Sequence, residues 1–147
     1  MEYIETPSQE LPLKLLLIAD PSRQKIQTYL PNSVCYAAKA GNIVAACVAN
    51  VIGDSTFEIF NLSVDLGFQN QGIGTKLLNY SLSQMKKNGV KRVELGTGTF
   101  GYQLTFYHRI GFRADAVIKD HFLNNYQQPI VECGIQHQDM LRLYLNL

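Results

Sequence analysis

The sequence predicts an α/β fold with a mixed central sheet and flanking helices. Three observations support this prediction: short β segments that precede residue 65, one long amphipathic helix in the middle, and a strand, helix and strand after it. A chain of 147 residues can bury one sizeable core. We therefore expect a single domain over residues 1–147.

The first third of the chain predicts a brief strand and two short helices. The apolar run Leu11–Ala19 is typical of one helix. Asp20 followed by Pro21 is typical of an N-cap and a first helical position, and Pro31 ends the second helix.

Three antiparallel strands are predicted next. Val34–Lys39 and Ile43–Ile52 are rich in β-forming and small apolar residues, and the turn residues between them favour a hairpin. A second turn at residues 53–55 leads into the third strand, Thr56–Val64.

The long helix begins at Gly72 and ends at Asn88-Gly89, because the apolar residues between them recur with a helical period. Its predicted buried face consists of Ile73, Leu77, Leu78, Leu82 and Met85.

The second half of the chain predicts a βαβ unit and a final strand. The unit consists of a strand at Val90–Leu95, a helix at Gln103–Ile110 and a strand at Phe112–Ile118. Apolar residues alternate with polar ones over Met140–Leu147, which indicates a half-buried strand. We expect residues 119–139 to be irregular.

Composition excludes several classes of function. The formal net charge is +1, and the basic residues are scattered, so nothing indicates binding to nucleic acid. Neither a signal peptide nor a membrane span is predicted, and we expect a cytoplasmic protein. Cys35, Cys47 and Cys133 have no paired spacing and are expected to be buried thiols in a reducing compartment.

A glycine-containing loop, Gln69–Thr75, lies where the third strand ends and the long helix begins. The first N–H groups of a helix lack intrahelical partners and lie at the positive end of its dipole. Glycine lets a ligand approach this backbone closely. The loop is therefore a candidate site for phosphate or pyrophosphate, and a merely tight turn is the alternative.

The loop is not a nucleotide-hydrolysing P-loop, because Ile73 occupies the position of the required lysine. Its pattern Gln69-x-x-Gly72-x-Gly74 instead resembles the acetyl-CoA signature of the GNAT acetyltransferase superfamily. A second segment, in which Tyr107 is followed by Gly111-Phe112, resembles this family's tyrosine-bearing helix. The segment before that helix departs from the family, since many members have a cofactor-contacting Asn where this chain has residues 98–100.

This resemblance implies the GNAT fold, with antiparallel N-terminal strands followed by a splayed parallel strand pair. It also implies acetyl-CoA as co-substrate. We separately predict no metal, because neither His121 nor His137 has metal-ligand spacing. Backbone groups of Leu62, Ser63 and Val64 would bind pantetheine. The pyrophosphate would be bound by five loop amides, those of Gln71, Gly72, Ile73, Gly74 and Thr75. Gln69 and Asn70 would shape the loop.

Transfer of an acetyl group from acetyl-CoA to an amine, the reaction that this resemblance implies, requires two proton transfers. By resemblance, Tyr107 is the candidate acid that protonates the departing thiolate. Glu58 is the candidate base, on the expectation that strand alternation places it on one face with Phe60, Leu62 and Val64. A rim carboxylate paired with Lys or Arg is the alternative interpretation of Glu58.

A competing motif, GxGxxG, spans residues 96–101 and has Asp120 about where a ribose-binding acid would lie. The preceding antiparallel strands and the short remainder of the chain do not fit a doubly wound parallel sheet. We therefore interpret these glycines as a turn between strand and helix.

The expected activity is transfer of an acetyl group to a primary amine of a small molecule or peptide. A non-catalytic acyl-CoA-binding module of the same fold is the alternative, and monomer and homodimer both stay open. Asp120, Glu132 and Asp139 are interpreted either as acids that hold a cationic acceptor or as solvated loop acids. His121 and His137 are candidates for lining a substrate pocket, and no histidine has metal-ligand spacing.

Overall fold

The computed structural model describes residues 1–147, and the chain forms two compact units. The first unit comprises residues 1–91 with Leu147, and the second comprises residues 92–146. The expectation of one domain over residues 1–147 stays a prediction.

The first unit contains an antiparallel sheet of four strands in chain order. These are β1 (Glu2–Thr6), β2 (Val34–Ala40), β3 (Asn42–Gly53) and β4 (Thr56–Val64). The predicted hairpins and the brief initial strand are thereby confirmed.

Three helices complete this unit: α1 (Leu13–Ala19), α2 (Arg23–Tyr29) and α3 (Ile73–Lys87). Helix α1 packs on β3 and β4, and α3 packs on β2, β3 and β4. The apolar face predicted for α3 is confirmed, since all its members are buried. The core between α1, α2 and the sheet includes Leu16, Ile26, Cys35, Ala37, Ala46 and Val48.

The sequence interpretation of Asp20 as the N-cap of α2 is wrong. Ser22 is the N-cap, and its hydroxyl accepts a hydrogen bond from Lys25 N at 3.2 Å. Asp20 instead ends α1, and its carboxylate accepts from Ser22 N at 3.0 Å. The carboxylate therefore closes the turn between the two helices.

The second unit contains a three-stranded sheet in the order β5 (Arg92–Gly98), β9 (Met140–Asn146) and β6 (Arg113–Ile118). β9 is antiparallel to both neighbours, so β5 and β6 are parallel to each other but not adjacent. The predicted βαβ connection is therefore split by the last strand of the chain.

Helix α4 (Tyr102–Ile110) connects β5 to β6 and packs on β5. Between β6 and β9, the segment predicted as irregular contains helix α5 (His121–Asn125) and a hairpin of β7 (Val131–Glu132) and β8 (Ile135–Gln136).

One boundary and one burial prediction are wrong. β5 extends through Gly98, so Gly96 and Gly98 lie in a strand and not in a loop. Cys133 is exposed, whereas Cys35 and Cys47 are buried as predicted. Burial raises the pKa of the Cys47 thiol to about 12, and it also raises that of Cys35. Neither buried thiol is therefore poised as a thiolate nucleophile.

Candidate functional site

The loop before α3 presents backbone N–H groups as predicted. The first hydrogen bond of the helix runs from Lys76 N to Gly72 O at 3.1 Å, so the N–H groups of Ile73, Gly74 and Thr75 precede the intrahelical ladder. Gly72 is the N-cap and has a left-handed backbone with φ of 79°. A Cβ added at Gly72 would meet no atom within 4 Å. This helix start can accept an anion close to its backbone.

Side chains of the same loop hold it against the end of β4. Gln69 Nε2 donates to the carbonyl of Val64 at 3.0 Å, and Gln71 Nε2 donates to the carbonyl of Gly67 at 3.4 Å. Asn70 adopts a left-handed conformation with φ of 61°, which Asn tolerates better than most residues. These contacts support a loop-shaping role for Gln69 and Asn70.

A β-bulge in β4 overturns the face predicted for Glu58. Val48 of β3 lies opposite Asn61, and Ala49 lies opposite Ile59, so Phe60 is the extra residue in β4. Residues that lie directly opposite each other on paired strands share a face of the sheet. The inserted residue therefore reverses which face of the sheet the following side chains of β4 occupy, and the period of two no longer holds across Phe60.

The reversal separates Glu58 from Leu62 and Val64. Glu58 lies opposite Asn50, whereas Leu62 lies opposite Cys47, and Asn50 and Cys47 occupy opposite faces of β3. Glu58 is consequently on the face covered by α1 and α2, whose core includes Val48. Leu62 and Val64 are on the face covered by α3.

A buried polar network ties the turn between α1 and α2 to β4. Asn61, 3% exposed, donates from Nδ2 to Leu16 O at 3.0 Å and to the Tyr29 hydroxyl at 3.1 Å. Tyr29 donates to the Asp20 carboxylate at 3.0 Å, and its ring stacks on Phe60 at 5.3 Å. The sequence analysis missed this network, although a polar residue between Phe60 and Leu62 in an apolar strand signals a buried hydrogen bond.

In the second unit, the motif in which Tyr107 is followed by Gly111-Phe112 forms the C-terminal end of α4. Gly111, with φ of 119°, donates to His108 O at 3.1 Å, and Phe112 N donates to Tyr107 O at 3.1 Å. This pair of bonds is a Schellman motif, and the Tyr107 and Phe112 rings supply its hydrophobic contact with centroids 5.6 Å apart. Tyr107 is 7% exposed, so the motif fixes the backbone and ring of a largely buried tyrosine.

The glycines of the GxGxxG segment are packed against side chains of the chain itself. A Cβ at Gly96 would overlap Met140, one at Gly98 would overlap the His137 ring, and one at Gly101 would overlap the Glu132 carboxylate. The space beside these glycines is therefore filled. The packing therefore favours a structural role for these glycines over a role in binding a dinucleotide.

Glu132 and His137 form a pair that the sequence analysis missed. His137 is 5% exposed, and its Nε2 lies 2.8 Å from Glu132 Oε1. The other carboxylate oxygen of Glu132 accepts from Tyr102 N at 3.0 Å. Glu132 is thus an engaged loop acid, and the His137 hydrogen bond holds the pKa of its carboxyl below the ordinary value.

Of the predicted catalytic and cofactor-binding residues, Tyr107 lies in the second unit and the others lie in the first. The candidate acceptor-binding residues between positions 120 and 139 all lie in the second unit. No group of three or more His, Cys, Asp or Glu side chains is arranged to hold a metal ion. None of the helices combines the length and the hydrophobicity that a membrane span requires. The cytoplasmic location stays a prediction.

Comparison with known proteins identifies relatives over the whole chain. Residues 5–112 match the acetyltransferase (GNAT) family. The uncharacterised N-acetyltransferase YvbK of Bacillus subtilis (strain 168) is 41% identical over 149 aligned residues, which cover 100% of this chain and 96% of YvbK.

Two solved structures are similar throughout. The IAA acetyltransferase from Bacillus cereus ATCC 14579 superposes with a TM-score of 0.93 at 36% identity and covers 99% of both chains. A GNAT family acetyltransferase from Elizabethkingia anophelis with acetyl-CoA bound has a TM-score of 0.92 at 38% identity, covering 99% of this chain and 97% of that one. The predicted α/β fold of this family is therefore confirmed.

Proposed function

The chain belongs to the acetyltransferase (GNAT) family, and we propose that it transfers the acetyl group of acetyl-CoA to a primary amine of a small molecule or peptide. The amine attacks the thioester carbonyl directly while both substrates are bound. The new bond joins the amine nitrogen to the acetyl carbon, the carbon–sulfur bond breaks, and CoA leaves.

The start of α3 is the observation on which this proposal rests. Three successive N–H groups there precede the helical ladder, and Gly72 leaves the approach to them without a side chain. A pyrophosphate suits this arrangement because it carries negative charge and several acceptor oxygens. The Elizabethkingia anophelis relative, which carries acetyl-CoA, supports the choice of ligand.

Main-chain recognition extends to the end of β4. We assign the grip on pantetheine to the backbone groups of Leu62, Ser63 and Val64. The hydroxyl oxygen of Ser63 is buried, so a backbone role suits this residue better than a side-chain role. Recognition of this kind tolerates changes of side chain everywhere except at the glycines.

Activation of the amine requires a base or a site that favours the neutral form. An ordinary alkylamine has a pKa near ~10.4, so freeing its lone pair at neutral pH costs about 4 to 5 kcal/mol. We assign Glu58 this role as general base, directly or through water. Its position on the α1 and α2 face of β4 supports an acceptor that approaches from those helices.

Departure of the thiolate requires a proton donor, and we assign Tyr107 this role. The Schellman motif at the end of α4 fixes its backbone, and contacts with Phe106 and Phe112 fix its ring. A tyrosine held in this way can present its hydroxyl at a constant position, as a general acid must.

Tyr107→Phe tests the proposal because it keeps the ring contacts and removes only the hydroxyl. Turnover should fall by about 10² to 10⁴, while acetyl-CoA affinity stays unchanged. The measurements are titration calorimetry with acetyl-CoA and CoA, and thiol release from acetyl-CoA with a panel of polyamines, amino acids, aminoglycosides and peptide amino termini. Tight acetyl-CoA binding without turnover on any amine would favour a binding module and contradict the proposal.

A further inference from the structure

We propose that Glu132 and His137 form a clamp that fixes the first turn of α4 and thereby positions Tyr107. The inference rests on the proposed function, because it takes Tyr107 as the proton donor. Neither residue of the clamp needs to touch a substrate. Both act as positioning residues, through the helix that carries Tyr107.

The hairpin of β7 and β8 carries the clamp. Its two-residue turn, Cys133-Gly134, has positive φ angles of 54° and 74°, as a type I′ turn requires. Glu132 precedes the turn directly, and His137 directly follows β8. A two-stranded hairpin is marginally stable alone, so contacts beyond the ladder must fix its position.

Glu132 supplies the cap that the sequence of α4 lacks. The N-cap residue is Gly101, which has no capping side chain, and the first turn contains no acidic residue. Glu132, which is 30 positions from Tyr102, accepts the N–H of Tyr102 at 3.0 Å. A carboxylate at this end of a helix gains both a charge-assisted hydrogen bond and a favourable interaction with the helix dipole.

His137 holds the carboxylate in place. Its Nε2 lies 2.8 Å from Glu132 Oε1, and its ring stacks on Phe100 with centroids 4.0 Å apart. Phe122 contacts the same ring at 5.6 Å, and His137 N donates to Ile130 O at 2.8 Å. Two rings and a backbone bond thus fix the imidazole. Its Nδ1 is buried with no hydrogen-bond partner, so the bond to Glu132 is the polar contact that orients the ring.

The adjoining glycines make room for this arrangement. The His137 ring occupies the position of a Cβ on Gly98, and the Glu132 carboxylate occupies that of a Cβ on Gly101. Gly101 also has φ of 106°, which few L side chains adopt. The segment from β5 to α4 is therefore built around the clamp.

Fixing the first turn fixes Tyr107 because α4 is short. The helix has 9 residues, fewer than an isolated helix needs for stability in water, so its ends determine its placement. The Schellman motif holds one end and Glu132 holds the other. Tyr107 lies about 7.5 Å along the axis from Tyr102. A displacement of about 1 Å at a reacting group can cost a hundredfold in rate, so a loosened first turn should lower turnover.

Glu132→Gln tests the clamp without altering its size. In Gln, an uncharged NH2 group, which cannot accept, replaces one of the two oxygens that separately contact Tyr102 N and His137 Nε2. Exchange of the Tyr102 amide hydrogen should therefore accelerate about tenfold or more. Asp115→Asn is the matched control, since this carboxylate also belongs to the second unit but bonds to Arg92 at 3.2 Å. Exchange at Tyr102 should be unchanged in the control. NMR of the full chain measures both.

Substitutions of His137 separate positioning from packing. His137→Gln keeps an N–H donor near the position of Nε2, whereas His137→Leu replaces the imidazole by an apolar side chain and removes the donor. The Gln variant should retain more protection of the Tyr102 amide and more turnover than the Leu variant. Equal loss in both would mean that only packing matters, and would overturn the clamp.

Kinetics complete the test. In Glu132→Gln, turnover with the best amine of the panel should fall about tenfold to a hundredfold, with acetyl-CoA affinity unchanged. Unchanged exchange at Tyr102, or faster exchange with unchanged turnover, would overturn the proposal. Failure of the proposed function is distinguishable, because it would appear as no turnover of the native chain on any amine, or as turnover left intact in Tyr107→Phe, while Tyr102 exchange still responds to Glu132→Gln.

Discussion

Two glycine-rich segments of this chain lie at a junction between a strand and a helix, yet their glycines serve different purposes. A Cβ at Gly72 would meet nothing within 4 Å, and one at Gly67 would make only an ordinary contact with Asp65. A Cβ at Gly98 would overlap the His137 ring, and one at Gly101 would overlap the Glu132 carboxylate. The space beside the glycines of the first segment is therefore open, whereas side chains of the chain itself occupy the space beside the glycines of the second.

A glycine spacing therefore does not by itself identify a ligand site. In the first segment, N–H groups at the start of α3 are accessible to an anion. In the second, the N–H of Tyr102 is already capped by Glu132. The better-known GxGxxG spacing therefore belongs to the segment that the chain fills with its own side chains.

The largest effect on stability is expected at Gly98. In Gly98→Val, the new side chain would collide with an imidazole that Phe100 and Glu132 hold in place. We expect a loss of about 3 kcal/mol in the free energy of unfolding, at the upper end for overpacking. Urea denaturation measures it. A loss below about 1 kcal/mol would show that the second segment has room, and the contrast between the segments would disappear.

A smaller effect concerns Glu132 and pH. Because its pKa is lowered in the folded protein, the carboxylate stabilises the fold above the ordinary Glu value near ~4.3, and this contribution is lost as pH falls through the lowered pKa. The difference in unfolding free energy between the native chain and Glu132→Gln should therefore be constant near neutrality and shrink in acid. The side chain is 35% exposed, so the difference should be modest. Denaturation curves from about pH 7 to pH 3 measure it, and a difference that grows in acid would contradict the account.

Local patterns predicted much of the fold. The helical period gave both ends of α3, and the turn residues gave the hairpins of the first unit. The loop Gln69–Thr75 was found because its glycines stand between a strand and a helix, which a single sequence can display.

The features that sequence reasoning missed depend on contacts between distant residues. The bulge at Phe60 belongs to the pairing of β3 with β4, and an uninterrupted run of β-forming residues does not reveal it. Glu132 contacts Tyr102 across 30 positions, and β9 inserts between β5 and β6 from the end of the chain. Gly96 and Gly98 suggested a loop, because the packing that requires glycine in a strand comes from Met140 and His137.

We propose that the backbone at the start of α3 binds acetyl-CoA, and Gly74→Val tests this proposal. Gly74 lies inside the first turn of α3, where valine costs a helix no more than glycine does, so the free energy of unfolding should change by less than about 0.5 kcal/mol. Ser83→Val, on an exposed position of the same helix, is the control. Calorimetric titration should show acetyl-CoA affinity reduced at least about a hundredfold in Gly74→Val and unchanged in the control, because the added side chain would occupy the phosphate path. Unchanged affinity in a folded Gly74→Val protein would contradict the claim and reduce the loop to a tight turn.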